Sequence, residues 1–239
     1  MRYLFTLIAL LLTLPAYTSE TTKYNAKANT PIRTLEKLDI TKAKVINLDT
    51  PIFPSSSDEV VNFLDTNQKA GVVYILLNSP GGSIMDGLAI IEKMQAIRPY
   101  TQTICVITGE GAFSMAAVIS MYCNYTFMQK DAALMFHDAS ISMSGEVHQM
   151  KSRFAYLVSW LDGFHRDVAV QIGMPTAQYT EAIKSELWFT AQQASAQNLV
   201  NGVVNVLKHS APPLSSTMRR SIFDFEQSEK EGSHICVEY

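Results

Sequence analysis

The stretch "VYILLNSPGGSIMDGLAIIEKMQAIRP", Val73 to Pro99, decides the class of this chain. Its first part belongs to "GVVYILLN", a continuous apolar run rich in β-branched residues. That is the pattern of a strand covered on both faces. "SPGG" breaks the run. "SIMDGLAIIEKMQAI" then resumes with helical spacing through Ile84, Leu88, Ile91 and Met94. A doubly covered strand that passes directly into an amphipathic helix predicts a layered α/β arrangement.

The same alternation extends in both directions. Upstream, "KVINLDTPI" supplies a strand. "SSSDEVVNFLDTNQKAG" opens with a capping box, Ser56 and Glu59, and places Val60, Phe63 and Leu64 on one helical face. Downstream come a buried strand, "QTICVIT", a helix, "SMAAVISMYC", and the apolar strand within "DAALMFHDAS". A long helix is predicted from Glu146 to Ile172, with Val147, Met150, Phe154, Leu157, Leu161, Phe164 and Val168 at 3–4 spacing. Gly173 ends it, and Pro175 can start the next short helix, where no amide hydrogen is needed. "LWFT" reads as a short strand, Thr190 and Gln193 form a second capping box, and Asn201-Gly202 turns the chain into "VVNVL".

These elements occupy residues 44–208, the expected domain. Residues 19–43 are polar without clear period and read as an arm or linker, and 209–239 as a polar, proline-marked tail. The first 18 residues, with an early arginine, an apolar run and a break at Pro15, have the pattern of a secretory signal. The run is short for a bilayer span, so cleavage after Thr18 is expected, with an uncleaved anchor as the alternative. The protein is thus expected to be periplasmic or secreted. A 47% hydrophobic, 17% charged chain of net charge −3 lacks the basic surface that nucleic acid requires. Cys105, Cys123 and Cys236 are odd in number and lack C-x-x-C spacing, so no disulfide framework or zinc site is expected. Cys105 and Cys123 read as small core residues. Asn124-Tyr125-Thr126 matches a glycosylation sequon, of consequence only in a eukaryotic secretory route.

Acyl transfer needs a nucleophile, a base, a group that orients the base, and amide donors for the oxyanion. Within "TGEGAFSMAAV", Ser114 stands at the mouth of a predicted helix, where unpaired amides and the helix dipole favour negative charge. His137 follows "ALMF", where the chain leaves the sheet, and strand ends of this kind gather catalytic groups in α/β proteins. The glycines of "SPGG" follow another strand and can approach the same rim without side-chain obstruction. Each feature alone also has a structural explanation: a packed serine, a structural histidine, an ordinary turn.

Taken jointly and in this order, "VYILLNSPGGSIMDGLAIIEKMQAIRP", "TICVITGEGAFSMAA", "ALMFHDAS" and "SELWFTAQQASAQNLVNGVV" resemble the proteolytic subunit of the Clp protease, the ClpP family. The resemblance runs from Lys44 to Leu207. It implies a ClpP/crotonase-like fold of repeated β-β-α layers, with the long helix as the family's handle and a homo-oligomeric assembly. It implies Ser114 as nucleophile, His137 as general base, and the backbone amides of Gly81 and Met115 as oxyanion donors. Glu186 stands where the family has its triad aspartate. No cofactor or metal is implied, and the substrate would be peptides or unfolded protein segments.

The chain also departs from the family's pattern. "GEGAFSM" is one residue longer than the usual form, Ser185 replaces an arginine that often links two rings, and the N-terminal pore loops are not recognisable. An exported member would meet little ATP, so no Clp ATPase partner is expected. The resulting expectation is a serine endopeptidase acting without an unfoldase. Three rivals remain open at this point. They are an inactive binding or assembly protein of the same shape, a crotonase-like enzyme of acyl-CoA thioesters, and a serine–lysine peptidase using Lys130 or Lys151.

Overall fold

The computed structural model describes residues 33–212 and 236–238 of the 239. The expected signal, the first part of the arm and most of the tail lie outside them. Six strands form a parallel sheet: β1 (Arg33–Asp39), β2 (Val45–Leu48), β3 (Gly71–Ser79), β4 (Thr101–Phe113), β5 (Tyr125–Gln129) and β9 (Gly202–Lys208), in the order β1-β9-β5-β4-β3-β2. Two further strands continue from β4: β6 (Ala133–Phe136) runs parallel to it, and β8 (Leu187–Thr190) pairs antiparallel with β6. This is the mixed α/β class expected from the strand–helix alternation.

Helices α1 (Pro54–Thr66), α2 (Ile84–Ile97) and α3 (Met115–Tyr122) connect successive strands, and α6 (Ala191–Ala196) follows β8. The apolar run of β3 is buried through Ile75, Leu76 and Leu77, which explains its lack of alternation. Helix α2 starts at Ser83, whose hydroxyl accepts from the Asp86 amide at 3.3 Å. At the second capping box the Thr190 hydroxyl accepts from Gln193 N at 3.3 Å, and the Gln193 side chain accepts from Thr190 N at 2.9 Å. In α1 the expected cap shifts. Pro54 occupies the first turn, Phe53 is the cap, and Ser56 lies inside the helix, its hydroxyl accepting from the Phe53 amide at 3.0 Å.

Three other expectations are revised. Residues 33–39, placed in the arm, form β1 and extend the sheet beyond β9; their polar "RTLEKLD" pattern suits an edge strand. In the tail, β10 (Cys236–Glu238) pairs with β7 (Ser140–Ser142). Cys105 and Cys123, read as unpaired, are joined in a disulfide with Cα atoms 5.9 Å apart. The crossover from β4 through α3 towards β5 returns Cys123 over the strand that carries Cys105, a proximity that cysteine spacing alone does not reveal.

Strand β4 is also longer than "QTICVIT". Between the pairs Leu77–Ile107 and Ser79–Ala112 the register slips, and the extra residues bulge out around Gly109 (φ 58°) and Gly111 (φ 144°). A side chain at Gly111 would sit 2.0 Å from the Ala133 carbonyl oxygen, so glycine there permits β4 to meet β6. Helix α4 (Val147–Ile172) matches the predicted long helix and ends at Gly173 in the left-handed conformation (φ 72°). Its second half is buried through Leu161, Phe164, Val168 and Ile172, whereas Val147, Phe154, Tyr156 and Val158 in its first half are exposed. Helix α5 (Thr176–Ala182) follows Pro175, and a 3-10 turn (Ile183–Ser185) leads into β8.

Candidate active site

The bulge in β4 carries the strand on to Phe113, and the next residue, Ser114, caps α3 with no intervening loop. The backbone of Ser114 takes φ 58° and ψ −128°, a conformation that serine rarely adopts. Such a strained strand-to-helix corner pushes the side chain out of both ladders. The Ser114 amide donates to the Met135 carbonyl at 2.8 Å, so the corner is fastened to β6. Although the residue is almost wholly buried, its Oγ has a specific neighbour. His137 Nε2 lies 2.7 Å away.

Strand register explains this meeting. Parallel strands β4 and β6 pair Phe113 with Met135, so the two chains leave the sheet at one edge, one at Ser114 and the other just beyond Phe136. Strand β8 runs antiparallel to β6 with Phe136 opposite Leu187. Extending that pairing by one residue brings Glu186 beside His137. The loop after His137 is fixed as well, since the Asp138 amide donates to the Ile183 carbonyl in the 3-10 turn at 3.1 Å. The segments carrying the imidazole and the glutamate are therefore joined on both sides.

The imidazole is half-buried, and loss of solvation holds its pKa below the ordinary histidine value. The charges of Glu186 and Asp138 act in the opposite direction, Glu186 more strongly. At neutral pH the ring is therefore neutral and able to accept a proton from the hydroxyl 2.7 Å away. Glu186 is solvent-exposed and also has a left-handed backbone (φ 57°). One of its carboxylate oxygens accepts a hydrogen bond from Trp188 Nε1 at 2.9 Å.

Gly81 (φ 95°) packs directly on the serine. A Cβ there would lie 2.6 Å from Ser114 Cβ and 2.9 Å from the Met115 nitrogen. As the first residue of α3, Met115 has an amide with no acceptor within the helix. The Gly81 amide, expected to face the oxyanion, instead donates to Ser79 Oγ at 3.2 Å. The Gly81 carbonyl accepts from Ile52 N at 2.7 Å. Because carbonyl and N–H point in opposite directions across a trans peptide, the Gly82 amide faces away from Ile52.

Ser114, His137, Glu186, Gly81 and Met115 are thus gathered at one rim. The two lysines of the serine–lysine alternative are not. Lys130 is half-exposed and paired with Asp131 at 2.7 Å, and Lys151 lies on the exposed first half of α4. Sequence reading missed Trp188, whose ring centroid lies 5.3 Å from that of Phe113, the residue before Ser114. Its signal was the i, i+2 spacing from Glu186, which puts both side chains on one face of an extended segment. Reading also missed a cleft of ≈ 410 Å³ that begins at Asp138. Its walls include Ile141, Phe154, Leu161 and Ile183, and His165 of α4 faces Asp138 at 3.6 Å.

Comparison with known proteins bears on the family of the chain. The family model described as Clp protease matches residues 32–206. A protein named ATP-dependent Clp protease proteolytic subunit 1, from Synechococcus sp. (strain CC9902), is 24% identical over 169 residues, covering 69% of this chain and 84% of the relative.

Proposed function

Since the chain belongs to the Clp protease family, we propose that it is a serine endopeptidase that hydrolyses peptides or unfolded segments without an ATP-dependent unfoldase. The 2.7 Å contact between Ser114 Oγ and His137 Nε2 at a strained strand–helix corner carries this reading. His137 accepts the serine proton as Oγ attacks the substrate carbonyl, then returns it to the leaving amine. Glu186 holds the imidazole with Nε2 unprotonated and stabilises the imidazolium formed during attack. The oxyanion is received by the Met115 amide and, in place of Gly81, by the Gly82 amide, with the α3 dipole aiding both. The close backbone approach of Gly81 to Ser114 closes the wall beneath the nucleophile.

The disulfide between Cys105 and Cys123 supports the exported location, because such bonds persist in oxidising compartments. Outside the cytoplasm nucleotide is scarce, which favours turnover independent of ATP. The exposed apolar first half of α4 supports a homo-oligomer, in which a second copy covers Phe154, Tyr156 and Val158. The strained serine in hydrogen-bond contact with a neutral imidazole favours the active reading over the inactive one.

The test is hydrolysis of an unstructured, internally quenched peptide and of a stably folded protein, each with and without ATP. Cleavage of the peptide alone, unchanged by nucleotide and lost in Ser114→Ala, is the expected result. Absence of cleavage by the assembled wild-type protein would favour the binding or assembly role.

A further inference from the structure

We propose that Trp188 is a positioning residue for this site, its indole N–H fixing the Glu186 carboxylate so that the longer acid can serve His137; this rests on the peptidase reading above. The problem it addresses is one of reach. A glutamate has one more methylene than an aspartate, and therefore one more free torsion to settle before its oxygen can meet an imidazole N–H. Glu186 is exposed, so water competes for its carboxylate and packing does not restrain it. Its backbone, at φ 57° after the 3-10 turn, sets where the side chain starts but not where it ends.

Trp188 supplies the missing restraint. Its Nε1 donates to one Glu186 oxygen at 2.9 Å, and continuation of the β6–β8 pairing sets Glu186 beside His137. The indole itself is held by Phe113, at 5.3 Å between centroids, and Phe113 precedes the nucleophile. Backbone pairing of Met135 with Trp188 anchors the residue in β8 opposite the strand that carries His137. The chain Phe113–Trp188–Glu186–His137–Ser114 thus closes on itself. Other titratable groups near the imidazole are Asp138 on its own loop and, beyond it, the buried His165 of α4, whose pKa burial lowers.

Trp188→Phe tests this, because it keeps an aromatic ring against Phe113 and removes only the donor. Peptide hydrolysis should fall between about 10- and 100-fold in kcat with KM little changed, the result of misplacing a catalytic group. The titration of His137, followed by NMR of its ring protons, reads the same effect without turnover. A wandering Glu186 supports the imidazolium less, so the His137 pKa should drop, in the direction that Glu186→Gln also moves it. In the Glu186→Gln background, Trp188→Phe should add nothing further to either readout.

If the indole were only a spectator, removing its N–H would leave the carboxylate in place. The His137 pKa would then not fall and kcat would be unchanged, which overturns the proposal while leaving the peptidase reading intact. Full additivity of the two substitutions would overturn it too. A wild-type protein without peptidase activity, in which Glu186→Gln also fails to move the His137 titration, would remove the peptidase reading and this inference with it.

Discussion

The amide of Ser114 donates to the carbonyl of Met135 at 2.8 Å, tying the corner that carries Ser114 to the strand that delivers His137 two residues later. Ser114 and His137 are therefore not on independent loops. Their separation follows from the β4–β6 register, and a change in either strand is felt at the 2.7 Å contact between the side chains.

The pH dependence follows from the environment of His137. Burial holds its pKa below the ordinary value, and catalysis requires the neutral ring. The acid limb of the kcat/KM profile should accordingly lie below the ordinary histidine value, with activity lost as the pH falls through the lowered pKa. Glu186 raises this pKa, so Glu186→Gln should move the limb to still lower pH while reducing the plateau. A profile measured on both proteins checks the sign.

Gly81→Ala should inactivate the protein more than it destabilises it. The added methyl would lie 2.6 Å from Ser114 Cβ, at a φ of 95° that alanine resists. A backbone strain of this kind costs on the order of 1–3 kcal/mol. The overlap with Ser114 and the backbone adds to it, so thermal melting should show a loss of at least that size, and hydrolysis a loss far larger than unfolding accounts for.

Much of this was legible in the sequence, for definable reasons. Ser114 and His137 stand out because each follows an apolar strand, and the parallel arrangement brings such ends together. The long helix was legible from spacing and from Gly173. Strand β1 was not, because "RTLEKLD" pairs on one side only and carries little apolar signal. The continuation of β4 was hidden by Gly109 and Gly111, which read as a turn but form a bulge. The Gly81 amide was misassigned because its partner, Ser79 Oγ, depends on the turn's conformation and not on its composition.

The disulfide offers an independent check. It joins residues 18 apart, with Ser114 midway in the enclosed segment. Closure of a loop of this length stabilises by about 3 kcal/mol in the chain-entropy treatment. Denatured, unreduced protein should show no reactive thiol at Cys105 or Cys123 by peptide mapping, and Cys105→Ala/Cys123→Ala should melt earlier by the corresponding amount. Two free thiols there would contradict the pairing.

The proposed assembly is tested at the first half of α4. Phe154 and Tyr156 are 53% and 69% exposed in the protomer, large rings that a second copy would cover. Light scattering should give a multiple of the protomer mass for the wild type, and a smaller species for Phe154→Glu/Tyr156→Glu with secondary structure unchanged. An unaltered mass would place the interface elsewhere.

The most direct measurement is the labelling of the protein by a fluorophosphonate, with the modified residue located by mass spectrometry. The account predicts a single adduct on Ser114, absent in Ser114→Ala and slowed by several orders of magnitude in His137→Ala. An unlabelled wild-type protein, or labelling at Ser114 that proceeds equally fast without His137, would contradict it.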